Sequence, residues 1–352
     1  MTRLPAACLA LLLAACASEP MVMRLEPPTG AASRLFPPPE TQEVPRYRFV
    51  GELRGETNFS PRDGSRSVGR SLFALIAGLD ATPQQPLMLV RPQSGVVDRQ
   101  GRVLVTDVGR AAIMVFDEAN GKLQVWEKAN RSTHFASPIA IALGREGELL
   151  VTDSDLARVF RLAPDGAPRG EFGAGLLQRP TGIARDAARG RIYVADSHGH
   201  DIKVFDDAGR HLATWGTRGD APGELNYPTH LALSDGVLLV ADSMNARIQG
   251  FDAEGKLVLR FGQRGLYVGN LVRPKGVAAD DEGNLYVVES MHDTLLVYDR
   301  GGRLLMPLGG TDSSGGSRFH LPAGVWVDAR NRVYVADMFN ARVAVFQFLG
   351  GN

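Results

Sequence analysis

The chain has almost no cysteine and no excess of charge of either sign, and both absences restrict what it can do. Only Cys8 and Cys16 occur among 352 residues, both near the N-terminus. The rest of the chain therefore has no disulfide, no thiolate nucleophile and no Cys-x-x-Cys-His haem site. Lys plus Arg and Asp plus Glu both total 39, which removes the main electrostatic driving force for binding nucleic acid. We expect no nucleic-acid partner.

The signatures of two large enzyme classes are also missing. The chain contains no Gly-x-Ser-x-Gly elbow and no glycine-rich phosphate loop, so nucleophilic-serine and nucleotide chemistry have no recognisable centre. Glycine and proline are abundant instead, with 40 and 21 residues. This composition suits a fold of many short strands joined by turns.

Residues 1–15 have the composition of a bacterial export signal. Arg3 precedes an apolar stretch from Leu4 to Ala15 that is too short to span a bilayer. The end of this stretch, Leu13-Ala14-Ala15-Cys16, resembles a lipobox, and the resemblance implies a lipid on Cys16. A plain secretory signal with an incidental cysteine is the alternative. Ala17 in place of aspartate implies the outer membrane, so we expect a lipid-anchored protein of the cell envelope that faces the periplasm.

A unit of 42 to 48 residues, repeated six times over residues 92–349, is the main signal of the fold. Each unit opens at a proline, and a β-branched run ends in an acid fourteen to sixteen residues later. Third and fourth runs follow, separated by Gly and Asp turns. The prolines are Pro92, Pro138, Pro180, Pro228, Pro274 and Pro322, and the acids are Asp107, Asp153, Asp196, Asp242, Glu289 and Asp337. We predict an all-β fold, a six-bladed β-propeller of four-stranded antiparallel blades.

The repeated unit also resembles a known family. The stretch Asp242-Ser243-Met244-Asn245-Ala246-Arg247-Ile248-Gln249-Gly250-Phe251-Asp252 nearly reproduces part of the NHL-repeat pattern. The resemblance covers about residues 92 to 348 and implies a six-bladed propeller.

The segments before the repeats are predicted to hold and close the ring. Residues 16–45 contain two proline-rich runs that favour extended backbone, and we predict a tether there. The sixth unit stops after its third strand, at Phe348, so a strand is missing. Within residues 46–91, Tyr47–Leu53 alternates as a strand should and is predicted to supply the missing one. The stretch Ser71–Leu79 is predicted to be a short helix that covers one face of the ring, with binding of a partner as the alternative.

Repetition separates scaffold from candidate function. An acid that recurs in every blade is better explained as a turn acceptor for backbone donors than as a catalytic carboxylate. The inter-blade loops 216–227, 262–273 and 309–321, together with the turns after the repeated acids, form what we call the loop-rich face. Function on β scaffolds concentrates in such loops, so we place the candidate ligand or partner site there.

Two groups of residues on that face are candidates. The first is a cationic rim, with a histidine where other blades have glycine, that would suit an anion; its members are Arg91, Arg179, His230, Arg273, Lys275 and His320. The second is a weaker set of imidazole and thioether groups that would suit copper or zinc; its members are His198, His200, Met244, Met291 and His292. Alternative roles, backbone capping by His230 and chance placement of the arginines, stay open.

The sequence favours a non-catalytic binding or scaffolding module. We expect no cofactor, and we expect the membrane, through the lipid, and another envelope protein as partners. The alternative is a divergent metal-dependent hydrolase or lyase acting at the central channel. Propellers of the peptide-amidating lyase type hold zinc with histidines directly after the anchor proline, and this chain has none there. Trp326, in the innermost strand of the sixth unit, is expected to narrow the channel.

Overall fold

The computed structural model describes residues 21–25, 35–62, 85–309 and 318–350. Within them the strands form six antiparallel sheets arranged as blades, which confirms the predicted all-β propeller. Each blade starts at its anchor proline or just after it, because the proline ring fixes φ and its missing N–H is tolerated at the first position of a strand.

The first three blades have four strands each. Blade 1 contains β5 (Pro92–Val97), β6 (Val103–Asp107), β7 (Ala112–Asp117) and β8 (Lys122–Trp126). Blade 2 contains β9 (Pro138–Leu143), β10 (Leu149–Asp153), β11 (Arg158–Leu162) and β12 (Pro168–Phe172). Blade 3 contains β13 (Pro180–Asp186), β14 (Arg191–Asp196), β15 (Asp201–Asp206) and β16 (His211–Trp215).

The remaining blades follow the same plan. Blade 4 contains β17 (Pro228–Ser234), β18 (Val237–Asp242), β19 (Arg247–Phe251) and β20 (Leu257–Phe261). Blade 5 contains β21 (Pro274–Ala279), β22 (Leu285–Glu289), β23 (Thr294–Tyr298) and β24 (Leu304–Leu308). Blade 6 contributes β25 (Val325–Val327), β26 (Arg332–Asp337) and β27 (Arg342–Phe348). Short 3-10 turns occur at Pro39–Thr41, Glu56–Asn58, Arg145–Gly147, Ser243–Asn245 and Met338–Asn340.

The N-terminal strand closes the ring as predicted. Strand β3 (Tyr47–Leu53) pairs antiparallel with β27, from Leu53 opposite Val343 to Tyr47 opposite Phe348. A buried ion pair joins the two strands, with Arg342 Nη1 3.1 Å from Glu52 Oε2. The sixth blade is thus completed by a strand from the other end of the described chain, which removes an exposed edge.

The predicted tether is not a free spacer throughout. Strand β1 (Met21–Met23) pairs with β4 (Phe59–Pro61), and β2 (Leu35–Phe36) adds a fifth strand to blade 6 beside β3. These parts of residues 16–45 therefore lie on the propeller, because apolar side chains such as Met23 and Phe36 pack against its core. The predicted helix Ser71–Leu79 and the export signal lie outside the described residues.

The repeated acids are turn acceptors, as the repetition indicated. Asp107 is fully buried and accepts backbone N–H groups of Val90, Arg91 and Gly109 at 2.7 to 3.0 Å. Asp153, Asp196, Asp242, Glu289 and Asp337 occupy the same position and accept the corresponding donors. Each acid therefore joins the loop that enters its blade to the turn between the second and third strands.

Glycines allow the inner strands to approach one another closely. A Cβ on Gly324 would lie 2.3 Å from the carbonyl oxygen of Gln93, and one on Gly182 would lie 2.8 Å from the Cα of His230. The side chain of Trp326 lies in a similar gap, left by the missing side chain of Gly95. Its indole stacks on Tyr334, with ring centroids 5.4 Å apart, over Gly95 of the next blade. The expectation that Trp326 narrows the channel is wrong, because the ring is 7% exposed within the core between blades 6 and 1.

Candidate functional site

The loop-rich face is defined by the direction of the strands. The inner strand of each blade begins at its proline on this face, and the second strand returns to it and ends at the repeated acid. The residues two positions after the anchor prolines therefore stand at one level around the central channel. They are Ser94, Ala140, Gly182, His230, Gly276 and Gly324.

His230 is the one large side chain at this level, and it reaches across the ring. Its Nδ1 lies 3.0 Å from the carbonyl oxygen and 3.4 Å from the backbone nitrogen of Val277 in blade 5, and we assign the proton of the neutral ring to Nδ1 on the shorter contact. Its Nε2 is then an acceptor, 3.5 Å from the hydroxyl of Ser94 in blade 1. Burial lowers the pKa of this imidazole to about 4. His230 is therefore a neutral side chain that fills the channel between three blades.

The residues of the predicted cationic rim differ in their surroundings. Arg91 and Arg273 are exposed and have no ion pair within the described residues. Arg179 is different, because its Nη1 lies 3.3 Å from Asp155 Oδ1. His320 is exposed and tilts against the ring of Phe339, with centroids 5.3 Å apart. Arg91 and Arg273 are thus the arginines of this rim whose charge is not neutralised locally.

Lys275 lies in β21, the inner strand of blade 5. It directly follows Pro274, it is half-buried, and the described part of the chain offers its ammonium group no carboxylate or hydrogen-bond acceptor. Burial lowers the pKa of this amine, and the positive charge of nearby Arg273 lowers it further. A buried charge without a partner is costly. An anion placed between Lys275 and Arg273 would therefore be stabilised by both.

The residues proposed as weak metal ligands lie in the turns between the second and third strands of blades 3, 4 and 5. His198 and His200 both contact the Tyr227 ring, and His200 Nδ1 accepts the backbone N–H of Tyr227 at 3.3 Å. Met244 and Met291 are on the surface of their turns, 43% and 51% exposed. Nε2 of His292 is buried without a hydrogen-bond partner. Across residues 21–25, 35–62, 85–309 and 318–350, no three His, Cys, Asp or Glu side chains converge as a metal site would need.

A feature that the sequence reasoning missed is an exposed apolar loop tip. Leu266, Tyr267 and Val268 are 85%, 83% and 72% exposed in the loop between blades 4 and 5. The aligned positions of the preceding inter-blade loop hold Asp220, Ala221 and Pro222. A comparison of the two loops in sequence would have revealed the difference.

A separate cavity lies away from this face. It has a volume of about 620 Å³ and is enclosed between the N-terminal segment that leads into β3 and the short turn 280–284 of blade 5. Its lining includes Val44, Tyr47, Glu282, Met306 and Phe348. The cavity is therefore distinct from the candidate rim.

Comparison with known proteins agrees with the repeat pattern. The model of the NHL repeat family matches residues 177–205. The chain is a six-bladed β-propeller with an NHL repeat at residues 177–205. It is also 30% identical over 144 residues to the protein brain tumor of Drosophila melanogaster. The matched region is 40% of this chain but only 13% of the fly protein, so the chain spans a small part of that relative's length.

Solved structures with the same architecture include enzymes. Virginiamycin B lyase from Staphylococcus aureus superimposes with a TM-score of 0.57 at 16% identity, covering 75% of this chain and 99% of the lyase. A gluconolactonase from Xanthomonas campestris gives a TM-score of 0.57 at 15% identity, covering 92% and 99% of the two chains. Identities this low indicate that this chain shares the fold of these proteins and indicate nothing about its chemistry.

No helix among the described residues is long and apolar enough to cross a membrane.

Proposed function

We propose that the NHL-repeat propeller is a non-catalytic binding module of the cell envelope whose loop-rich face engages a protein partner or an anionic ligand. The observation that carries this proposal is the pair Lys275 and Arg273 at the channel mouth. Both are cations without a counter-ion in the described chain, and Lys275 is half-buried. A carboxylate or similar anion would supply the missing charge.

The alternative, a metal-dependent hydrolase or lyase of the channel, has less support. His230 fills the channel with a ring held by Val277 and Ser94, where such an enzyme would need open space for substrate. Elemental analysis of the purified protein discriminates between the two functions. Stoichiometric zinc, calcium or copper would favour the enzyme.

A binding titration tests the proposal directly. Fluorescein-labelled hexaglutamate is the probe, and fluorescence anisotropy is measured at low salt, where screening is weak. The double variant Arg273→Glu with Lys275→Glu is expected to bind at least ten-fold more weakly than the wild type, which corresponds to about 1.4 kcal/mol.

The matched control reverses two cations on the other face. Arg210 and Arg303 are exposed and pair with Asp206 and Asp299 in outer turns. Arg210→Glu with Arg303→Glu changes the net charge by the same amount and is expected to bind the probe as the wild type does. Equal losses in both double variants would reduce the effect to overall charge and contradict the proposed site.

The lipid anchor, if Cys16 carries one, would orient this module. The carbonyl of Met21 abuts Gly121, which is in the short turn between β7 and β8. Cys16 lies five residues earlier, and five extended residues span at most about 18 Å. We infer that the short turns face the membrane and that the loop-rich face points away from it, toward partners in the periplasm.

A further inference from the structure

The exposed tip Leu266-Tyr267-Val268 is held rigidly by its loop. Leu271 is fully buried, and its N–H donates to the carbonyl oxygen of Gln263 at 2.8 Å. Arg264 Nη2 donates to the carbonyl of Met244 in blade 4 at 2.6 Å. The hydroxyl of Tyr298 in blade 5 donates to the carbonyl of Gly269 at 3.1 Å. The tip is therefore fixed between two blades and presents its apolar side chains in a set position.

The preceding loop, between blades 3 and 4, has the same backbone and a different tip. Leu225 replaces Leu271 as the buried anchor, and its N–H donates to Thr217 at 2.9 Å. A parallel bridge joins Arg218 to Leu225 as another joins Arg264 to Leu271. Asp220-Ala221-Pro222 stands at the tip. The loop fold therefore does not require apolar side chains at these positions, and their exposure in the second loop calls for another explanation.

The charge around the apolar tip indicates what it contacts. Loop 262–273 contains Arg264 and Arg273 and no acid, whereas loop 216–227 contains Asp220 and Glu224. Met291 and Phe339, 51% and 53% exposed, are further apolar side chains on the same face, in the turns of blades 5 and 6. Rigid aromatic and aliphatic side chains next to arginine are typical of the energetic centre of protein interfaces.

We propose that Leu266, Tyr267 and Val268 are the apolar anchor through which the loop-rich face binds an acidic protein partner. This inference rests on the proposed function and adds which residues make the apolar contact and what chemistry the partner presents: an apolar surface flanked by carboxylates. A protein is favoured over a lipid bilayer because Lys275 is recessed in the channel mouth, where a side-chain carboxylate can enter and a bilayer surface cannot.

Selection of peptides on the intact protein tests this inference. A phage-displayed library of random dodecapeptides is panned on the immobilised wild type, and the selected peptides are then synthesised. We expect sequences that combine aromatic or aliphatic residues with Asp or Glu. We expect them to bind at least ten-fold more weakly to the variant L266D/Y267A/V268P, which carries the tip of the preceding loop and should keep the wild-type melting temperature.

Two further variants isolate the cause. L266S/Y267S/V268S removes the apolar side chains without adding charge and should lose binding to the same degree. Val258→Asp, at a position of β20 that is 52% exposed, should bind as the wild type does. Peptides without this composition, or equal binding to wild type and to both tip variants, would overturn the inference.

A vesicle arm separates a protein from a membrane as the occupant. Sedimentation with phosphatidylcholine–phosphatidylglycerol vesicles that is lost in both tip variants would assign the tip to a lipid surface and overturn the inference. If the tip variants bind the peptides normally while Arg273→Glu with Lys275→Glu loses hexaglutamate, the apolar anchor fails and the proposed function stands. If the tip variants lose peptide binding while Arg273→Glu with Lys275→Glu still binds hexaglutamate as the wild type does, the apolar anchor stands and the anion site is refuted.

Discussion

His230 of blade 4 and Ser94 of blade 1 face each other across the propeller, with Nε2 and Oγ 3.5 Å apart. They are separated by 136 residues in the chain, and they come together because the other positions at their level are small. The imidazole thus links blades on opposite sides of the ring at the point where the channel would otherwise be open.

The first prediction concerns stability and pH. The folded state holds His230 with a pKa of about 4, whereas the ordinary value is 6.5. The unfolded chain therefore binds the proton more tightly, so this stability is present above pH 6.5 and is lost as the pH falls toward 4, by about 3 kcal/mol. Urea unfolding between pH 4 and 7.5 should show that loss in the wild type and a smaller one in His230→Gln. An equal loss of unfolding free energy in the wild type and in His230→Gln would contradict this prediction.

The second prediction concerns Lys275. Because burial and Arg273 lower the pKa of its amine, the ammonium is lost at a lower pH than that of an ordinary lysine. Binding of hexaglutamate should therefore weaken as the pH rises through that lowered pKa. Lys275→Arg keeps its charge and should bind the probe almost equally from pH 7 to pH 10. If the affinity for hexaglutamate decreases equally with rising pH in the wild type and in Lys275→Arg, Lys275 is not the titrating group.

The third prediction concerns closure of the ring. Glu52 is 1% exposed and pairs with Arg342, whose Nε also lies 2.8 Å from Asp337. Glu52→Ala leaves the Arg342 guanidinium paired with Asp337 but removes the buried acceptor of its Nη1, so it should reduce the free energy of unfolding by about 1–3 kcal/mol.

An exposed ion pair supplies the control for this prediction, and deletion of the N-terminal strand is a stronger test of ring closure. Arg210→Ala breaks an exposed pair with Asp206 and should cost less than about 1 kcal/mol. Deleting residues 46–54 should give an aggregated or unfolded product. A stable monomer after that deletion would mean that the ring does not need its N-terminal strand.

The fourth prediction concerns Gly95. A Cβ there would lie 2.4 Å from the indole of Trp326 and 2.7 Å from the carbonyl of Leu104. Gly95→Ala should cost about 1–3 kcal/mol in urea unfolding, and the cost should shrink when Trp326→Leu makes room. Gly301→Ala, in an open turn, is the control and should be nearly neutral. An undiminished cost in the double variant would locate the clash at Leu104 alone.

The fifth prediction concerns the anchor. If Cys16 is acylated, the protein should fractionate with membranes and Cys16→Ser should move it to the soluble fraction, because buried acyl methylenes contribute about 0.8 kcal/mol each. Mass spectrometry of the N-terminal peptide checks the modification itself. Wild-type protein found in the soluble fraction with an unmodified Cys16 would exclude the lipid.

The propeller scaffold could be predicted from the sequence because the residues that specify each blade act locally and recur in every unit. The anchor prolines and the acids such as Asp107 recur at a nearly constant spacing, and each acts on backbone groups of its own blade. The role of the strand Tyr47–Leu53 could be predicted because the sixth unit contains three strands where the other units contain four. Trp326 could not be placed in the same way, because its position depends on the gap over Gly95 in a different blade.

The amino-acid sequence by itself determined the number of blades, their strands and the way the ring closes, since hydrophobic periodicity and turn residues specify them within each unit. Only the tertiary structure decided which polar groups meet across the ring. It brought His230 to Ser94, left Lys275 and Arg273 without a counter-ion, and held Leu266, Tyr267 and Val268 out in solvent. The physical reason is that contacts between blades depend on how closely the inner strands approach, which no single repeat encodes.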